Sequence, residues 1–236
     1  MIEIRNLTKS FGTLYALRGI HLSIPGGIFL SIFGPNGAGK TTFIRILATL
    51  SKASGGEVLF DGRNLNDSPE KIRRHIGVIG HSTFLYDELT AYENLKFYCT
   101  LYEVEDAASR IDHVLAEVGL ANRRNDFVRT FSRGMQQRLS IARAMLHEPD
   151  ILLLDEPYTG LDQHAAQMLT QWLSKLKSQK RTIVLVTHDI HSGLELADRV
   201  AIFVRGKVAF EADRSQISPD SFRKTYYDIV AGGGTS

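Results

Sequence analysis

The sequence predicts an α/β fold in three parts: a mostly parallel core sheet, an antiparallel β portion near the start, and a helical insert in the middle. Short β-branched runs alternate with helical patterns along the 236 residues. Three runs, Ile28–Phe33, Ile151–Leu154 and Thr182–Thr187, are nearly all apolar, as strands buried on both faces of a parallel sheet are. From Leu89 to about Leu146 the pattern is helical.

In chain order, Ile2–Arg5, Leu14–Leu17, Ile20–Ile24 and Glu57–Phe60 read as the antiparallel portion. Ile28–Phe33 is the first core strand, and a helix from Thr41 to Leu50 follows it. In the insert, Thr90 and Glu93 have the spacing of a capping box, at N-cap and N3. Ser132 precedes another helix running towards His147, and Pro149 follows its end. Val200–Val204 and Lys207–Glu211 flank Arg205-Gly206 as a terminal hairpin. The closing AGGGTS reads as a flexible tail. The expected division is an α/β core over 1–80 and 148–214, a helical subdomain over 81–147, and a C-terminal extension with its tail over 215–236.

Composition narrows the function. The chain is 43% hydrophobic and 23% charged, with 28 Lys and Arg against 26 Asp and Glu, a net charge of +2. That near balance removes nucleic acid as the default partner. No apolar stretch approaches the roughly 20 residues needed to cross a bilayer. The start, MIEIRNLTKS, has no apolar signal-peptide region. A single cysteine, Cys99, excludes an internal disulfide and a CxxC metal site. A cytosolic protein is expected.

Gly34-Pro35-Asn36-Gly37-Ala38-Gly39-Lys40-Thr41 matches G-x-x-x-x-G-K-[ST], after a strand and at the start of a helix. Its glycines allow a tight loop with backbone N–H groups turned on an anion, and the helix dipole adds to the attraction. Lys40 has the reach for β- and γ-phosphates, and the Thr41 hydroxyl suits Mg²⁺, a hard cation that prefers oxygen. Asp155 ends the strand Ile151–Leu154 and suits Mg²⁺ binding through water. Glu156 follows and points the other way from a strand, where it can take a proton from the attacking water.

With these motifs in order the chain resembles an ATP-binding-cassette (ABC) ATPase subunit over residues 2–212. Phe131-Ser132-Arg133-Gly134-Met135-Gln136-Gln137-Arg138 resembles the family signature, Tyr158-Thr159-Gly160-Leu161-Asp162 the D-loop, and His188 the switch histidine. Phe11 matches the aromatic that stacks on adenine. The resemblance implies a P-loop NTPase core of the RecA-like type with the antiparallel β portion and inserted helical subdomain. It implies ATP and Mg²⁺ as cofactors, with Phe11, Gly34, Pro35, Asn36, Gly37, Ala38, Gly39, Lys40, Thr41 and Thr42 around ATP. Thr41 and Asp155 would serve the metal, and Lys40, Glu156 and His188 catalysis. It also implies a head-to-tail homodimer in which Ser132, Arg133, Gly134 and Met135 meet the ATP of the second copy, beside the D-loop Asp162. Ser132 and Asp162 also read as plain helix caps, Phe11 as core, and His188 as a structural histidine.

Two positions depart from the family pattern. His81 stands where most members carry the Q-loop glutamine, and imidazole is a poor Mg²⁺ ligand; near phosphates it can instead titrate around neutral pH. Arg133 replaces the first signature glycine, and either approaches the second copy's phosphate or points to solvent. Ile79-Gly80-His81, Arg133-Gly134-Met135-Gln136-Gln137-Arg138, Glu156–Asp162 and Leu89–Tyr98 together resemble the ATPase subunit of bacterial haem exporters in cytochrome c maturation. That resemblance implies integral membrane permease partners, no nucleic acid, and a place on the cytoplasmic face of the inner membrane. A drug, polysaccharide or lipid exporter shares the same hydrolytic residues. A non-transport ABC ATPase and a nucleotide-responsive module without turnover are the remaining readings. Six aromatics fall in the 19 residues from Phe84 to Tyr102, against 9% overall, and mark a candidate docking surface for the permease; packing within the subdomain is the plainer reading for at least half.

Overall fold

Apolar runs that alternate in direction build two sheets and the three hydrophobic clusters around them. The computed structural model describes residues 1–80 and 82–232, apart from the side chain of His164. His81, the Q-loop position, and the last four residues of the expected tail lie outside the described residues.

The first sheet is antiparallel, formed by β1 (Ile2–Phe11), β2 (Leu14–Ile24), β4 (Gly55–Phe60) and β5 (Arg63–Asn64) in the order β2-β1-β4-β5. Leu14–Leu17 and Ile20–Ile24 are one strand, not two. Gly19 takes φ +81 and the ladder shifts register opposite it, so the pleat is interrupted while the strand continues.

The core sheet contains β3 (Phe29–Phe33), β6 (Ile76–Ile79), β7 (Ile151–Asp155), β8 (Thr182–Val186), β9 (Arg199–Val204) and β10 (Lys207–Asp213). Its order is β10-β9-β3-β8-β7-β6. Every pairing is parallel except the β9–β10 hairpin. Alternation assigns the faces. Leu30, Ile32, Leu153, Val184 and Val186 face the antiparallel sheet and α1 (Lys40–Leu47). Phe29, Leu152, Leu154, Ile183 and Leu185 face the helices of the insert. Helix α1 is shorter than the expected Thr41–Leu50, because Thr49 takes φ +60 and ends it.

After α2 (Pro69–Arg73), the insert holds α3 (Ala91–Tyr102) and α5 (Arg133–Met145), at the two expected helix starts, with α4 (Ala107–Glu117) between them. The Thr90 capping box forms in full: Thr90 Oγ1 accepts from Glu93 N at 3.1 Å, and Glu93 Oε2 accepts from Thr90 N at 2.8 Å. Then follow α6 (Gln163–Ser178), α7 (Ile190–Glu195) and α8 (Pro219–Gly232). The C-terminal extension thus forms a helix over most of its described length. Phe222 and Tyr226, one turn apart, are buried against Phe33, Leu194 and Ile202, which gives α8 an apolar face to fold on.

Candidate functional site

Three neighbouring parallel strands, β3, β8 and β7, end side by side, and the candidate residues stand at those carboxyl ends. In an open α/β sheet this edge is where ligands bind. The Gly34–Thr41 loop leaves β3, Asp155 closes β7, and His188 follows β8.

Steric crowding explains the loop glycines. A Cβ on Gly34 would lie 2.2 Å from Phe203 O, and one on Gly39 2.4 Å from Ala16 O. Both residues also have positive φ, at 154° and 96°. Gly39 precedes the first turn of α1, whose open N–H groups suit an anion. Lys40 is buried, and its Nζ donates to Gly34 O at 2.6 Å and Pro35 O at 3.2 Å. Burial lowers its pKa, opposed by the charges of Glu156 and Asp155.

Thr41 Oγ1 donates to Asp155 Oδ1 at 3.1 Å. A hydroxyl and a carboxylate oxygen at this spacing are the donor chemistry Mg²⁺ takes. Glu156 does not continue the strand alternation. Its φ is +52, so the chain turns sharply there and strand geometry does not aim its side chain. Donors at the end of β8 aim it instead: His188 Nδ1 at 2.9 Å, Thr187 Oγ1 at 3.3 Å and His188 N at 3.4 Å, all to Oε2. Thr187 escaped the sequence reading; its place beside His188 at a strand end was the available signal.

Phe11 is 56% exposed, which removes the core reading. It lies near the tip of the β1–β2 hairpin, with Lys9 Nζ 4.8 Å from its ring centroid. Further along β2, Ala16 and Leu17 pack against Gly39, so the hairpin is anchored at the Gly34–Thr41 loop.

On the insert side, Ser132 caps α5, its Oγ accepting from Met135 N at 3.3 Å. Asp162 caps α6, its Oδ1 accepting from Ala165 N at 2.8 Å. A cavity of about 640 Å³ lies beside the start of α5 and is lined by Gly80, Arg133, Gln136, Gln137, Glu156 and Thr159, among others. Lys40, Thr41, Asp155, Glu156 and His188 are therefore assembled within the chain, while Ser132 and Gly134 stand at the start of another helix, α5.

The aromatic segment divides evenly. Phe84, Tyr86 and Phe97 are exposed, and Tyr86 and Phe97 meet edge to face at 5.3 Å. Tyr92, Tyr98 and Tyr102 are half-buried. Tyr98 donates to Phe84 O at 2.5 Å, and with Phe84 it flanks the buried Arg143 guanidinium at 5.2 and 5.3 Å. Among the described residues no helix is long and apolar enough to cross a membrane.

Residues 17–159 match the family model for the ABC transporter. The chain is 37% identical over 217 residues to the ABC transporter ATP-binding protein NatA of Bacillus subtilis (strain 168), covering 89% of this chain and 88% of that protein. It is 36% identical to the sulfate/thiosulfate import ATP-binding protein CysA of Bacillus cereus, covering 97% of this chain and 66% of that protein. A lantibiotic transport ATP-binding protein, SrtF of Streptococcus pyogenes, is 37% identical over 90% of this chain and 91% of its own length. Among solved structures, a dimeric ATP-binding cassette in a post-hydrolysis state bound to ADP and Pi superposes with a TM-score of 0.84 at 33% identity, covering 91% of this chain and 99% of that one.

Proposed function

The chain belongs to the ABC transporter family as an ATP-hydrolysing subunit, and from that membership we propose how its site works and what it powers. Two copies associate head to tail. Each ATP lies between Gly34–Thr42 of one copy and Ser132–Met135 of the other, with Asp162 beside the shared site and Phe11 on the adenine. The observation that carries this reading is the paired polar contact at adjoining strand ends: Thr41 with Asp155, and Glu156 with His188. The dimeric state of the ADP-bound cassette that this chain resembles supports it.

Lys40 exchanges its two carbonyl partners for phosphate oxygens, and the loop N–H groups hold the remainder. Thr41 and, through water, Asp155 would hold Mg²⁺, which would supply positive charge against the phosphates. Glu156 orients a water and takes its proton as the water oxygen bonds to the γ-phosphorus and the bond to ADP breaks. His188 holds Glu156 in that orientation and sets a polar donor near the phosphate. Positioning and charge do most of this work. The α/β core over 1–80 and 148–214 carries the nucleotide, the insert over 81–147 carries the signature, and the segment from 215 packs as a support.

The subunit acts at the cytoplasmic face of the inner membrane, bound to integral permease subunits through exposed Phe84, Tyr86 and Phe97. Its task is to power haem export, or release of a haem carrier, in cytochrome c maturation. The support is the combination of the His81 position, the Arg133-Gly134-Met135 signature and the Glu156–Asp162 segment. A drug, polysaccharide or lipid exporter is the alternative; relatives named for sulfate/thiosulfate import and for lantibiotic transport mark how widely cargo varies in the family. Purifying the complex from membranes tests both: the partners recovered are haem-handling permeases on the first reading and polysaccharide, lipid or drug permeases on the second. Replacing Tyr86 and Phe97 by Ser leaves ATP binding intact and lowers recovery of the chain with membranes. Loss of ATP binding instead assigns these rings to internal packing.

A further inference from the structure

Helix α5 begins with a cation where a helix start favours an anion. Free N–H groups and the backbone dipole make that end attractive to negative charge and unfavourable for positive charge. Arg133 is nonetheless its first residue, and the first turn holds no carboxylate. Arg133 is exposed, and among the described residues no ion pair includes it. Its neighbour is bare backbone. A Cβ on Gly160 would lie 2.5 Å from the guanidinium carbon and 2.6 Å from Nε. Gly160 has φ +76, so glycine there supplies both the turn and a flat seat for the guanidinium. One helical turn on, Gln137 Nε2 donates to Pro157 O at 3.3 Å. Arg133 and Gln137, four residues apart on one face, thus hold the loop that follows Glu156 at two points.

We propose that Arg133 is a phosphate-binding residue parked on the Gly160 loop of its own copy, and that it transfers to the terminal phosphates of the second copy's ATP when the two copies close. This rests on the composite-site reading above. Arg133 and Glu156 line the same cavity without pairing, so the cation is close to the chemistry and uncommitted. A guanidinium fork matches phosphate oxygens two at a time, which a glycine at this position does not. The helix start and the cation oppose each other until an anion arrives that both attract. Closure with ATP therefore gains more from Arg133 than closure without it. The Gly160 seat makes that gain depend on the 158–162 loop, which must release the guanidinium first.

The test uses the full-length Glu156→Gln chain, whose slow turnover lets a closed dimer accumulate. Sedimentation velocity reads the ATP concentration for half-maximal dimer, and a fluorescent nucleotide reads binding to single copies. Adding Arg133→Gln raises the ATP needed by about tenfold or more, the scale of a lost charge-assisted contact at each site. It leaves single-copy nucleotide binding unchanged, and Arg133→Lys recovers part of the loss. An unaltered midpoint overturns the proposal. So does a loss that Lys does not recover and that comes with a lower melting temperature, since Arg133 then only packs the Gly160 loop. Failure of the Glu156→Gln parent to dimerise with ATP overturns the composite-site reading itself, and this inference with it.

Discussion

Glu156 is aimed by its partners rather than by its strand. Three donors from the end of β8 converge on one carboxylate oxygen, so Gln at this position keeps the shape and loses the base. Glu156→Gln is expected to bind nucleotide normally and to turn over about 100-fold or more slower; single-turnover ATPase measurements beside nucleotide titration check it. The acid itself was legible from the run Ile151–Glu156, but its direction was not, because a left-handed backbone at a non-glycine residue leaves no sequence mark. His147 shows the same limit. It stacks on Tyr102 at 3.9 Å, and its Nε2 donates to Ile76 O at 3.0 Å. Burial pulls its pKa from 6.5 to about 4. Below pH 6.5 the unfolded chain takes up a proton that the folded chain refuses, so stability falls as pH drops from 6.5 towards about 4. His147→Gln is expected to shrink the stability difference between pH 7 and pH 5 by about 1–2 kcal/mol, read from urea midpoints.

Elements with a strong local signal were readable before the structure. The capping box at Thr90, the caps at Ser132 and Asp162 and the all-apolar strands each carry their own chemistry within a few residues. Thr90→Ala removes the acceptor for Glu93 N and is expected to cost about 1 kcal/mol, a melting shift of about 2–4 °C by scanning calorimetry. Elements defined by distant partners were harder. Strand β6 is four residues long, with Gly77 in its middle, and is a strand because Ile76 and Ile79 lie beside Ile151 and Leu154. Helix α8 has its apolar residues Phe222 and Tyr226 at helical spacing, yet the glycine run after it reads as a loose end. What makes α8 a packed element is Phe33, whose ring lies 4.9 Å from that of Phe222.

At the scale of the molecule, topology does what spacing along the chain cannot. Lys40, Asp155 and His188 are more than 30 residues apart in sequence, and the order β3-β8-β7 sets them side by side. The motifs named the parts, and parallel pairing in the sheet supplied their arrangement. The strand-end group of Lys40, Thr41, Asp155, Glu156 and His188 is assembled within the chain, while the signature stands at the start of α5. On the proposed head-to-tail arrangement, two copies, each giving one half, would make two sites. Complementation tests that claim most directly. Lys40→Ala and Gly134→Asp chains are each expected to be inactive alone. A mixed dimer retains one intact pairing, Lys40 of the Gly134→Asp chain with Gly134 of the Lys40→Ala chain. Mixing the two is predicted to restore ATP hydrolysis to about a quarter of the wild-type rate per chain if exchange is random and the sites act alone. A mixture no more active than its separate components would contradict a site shared between two copies.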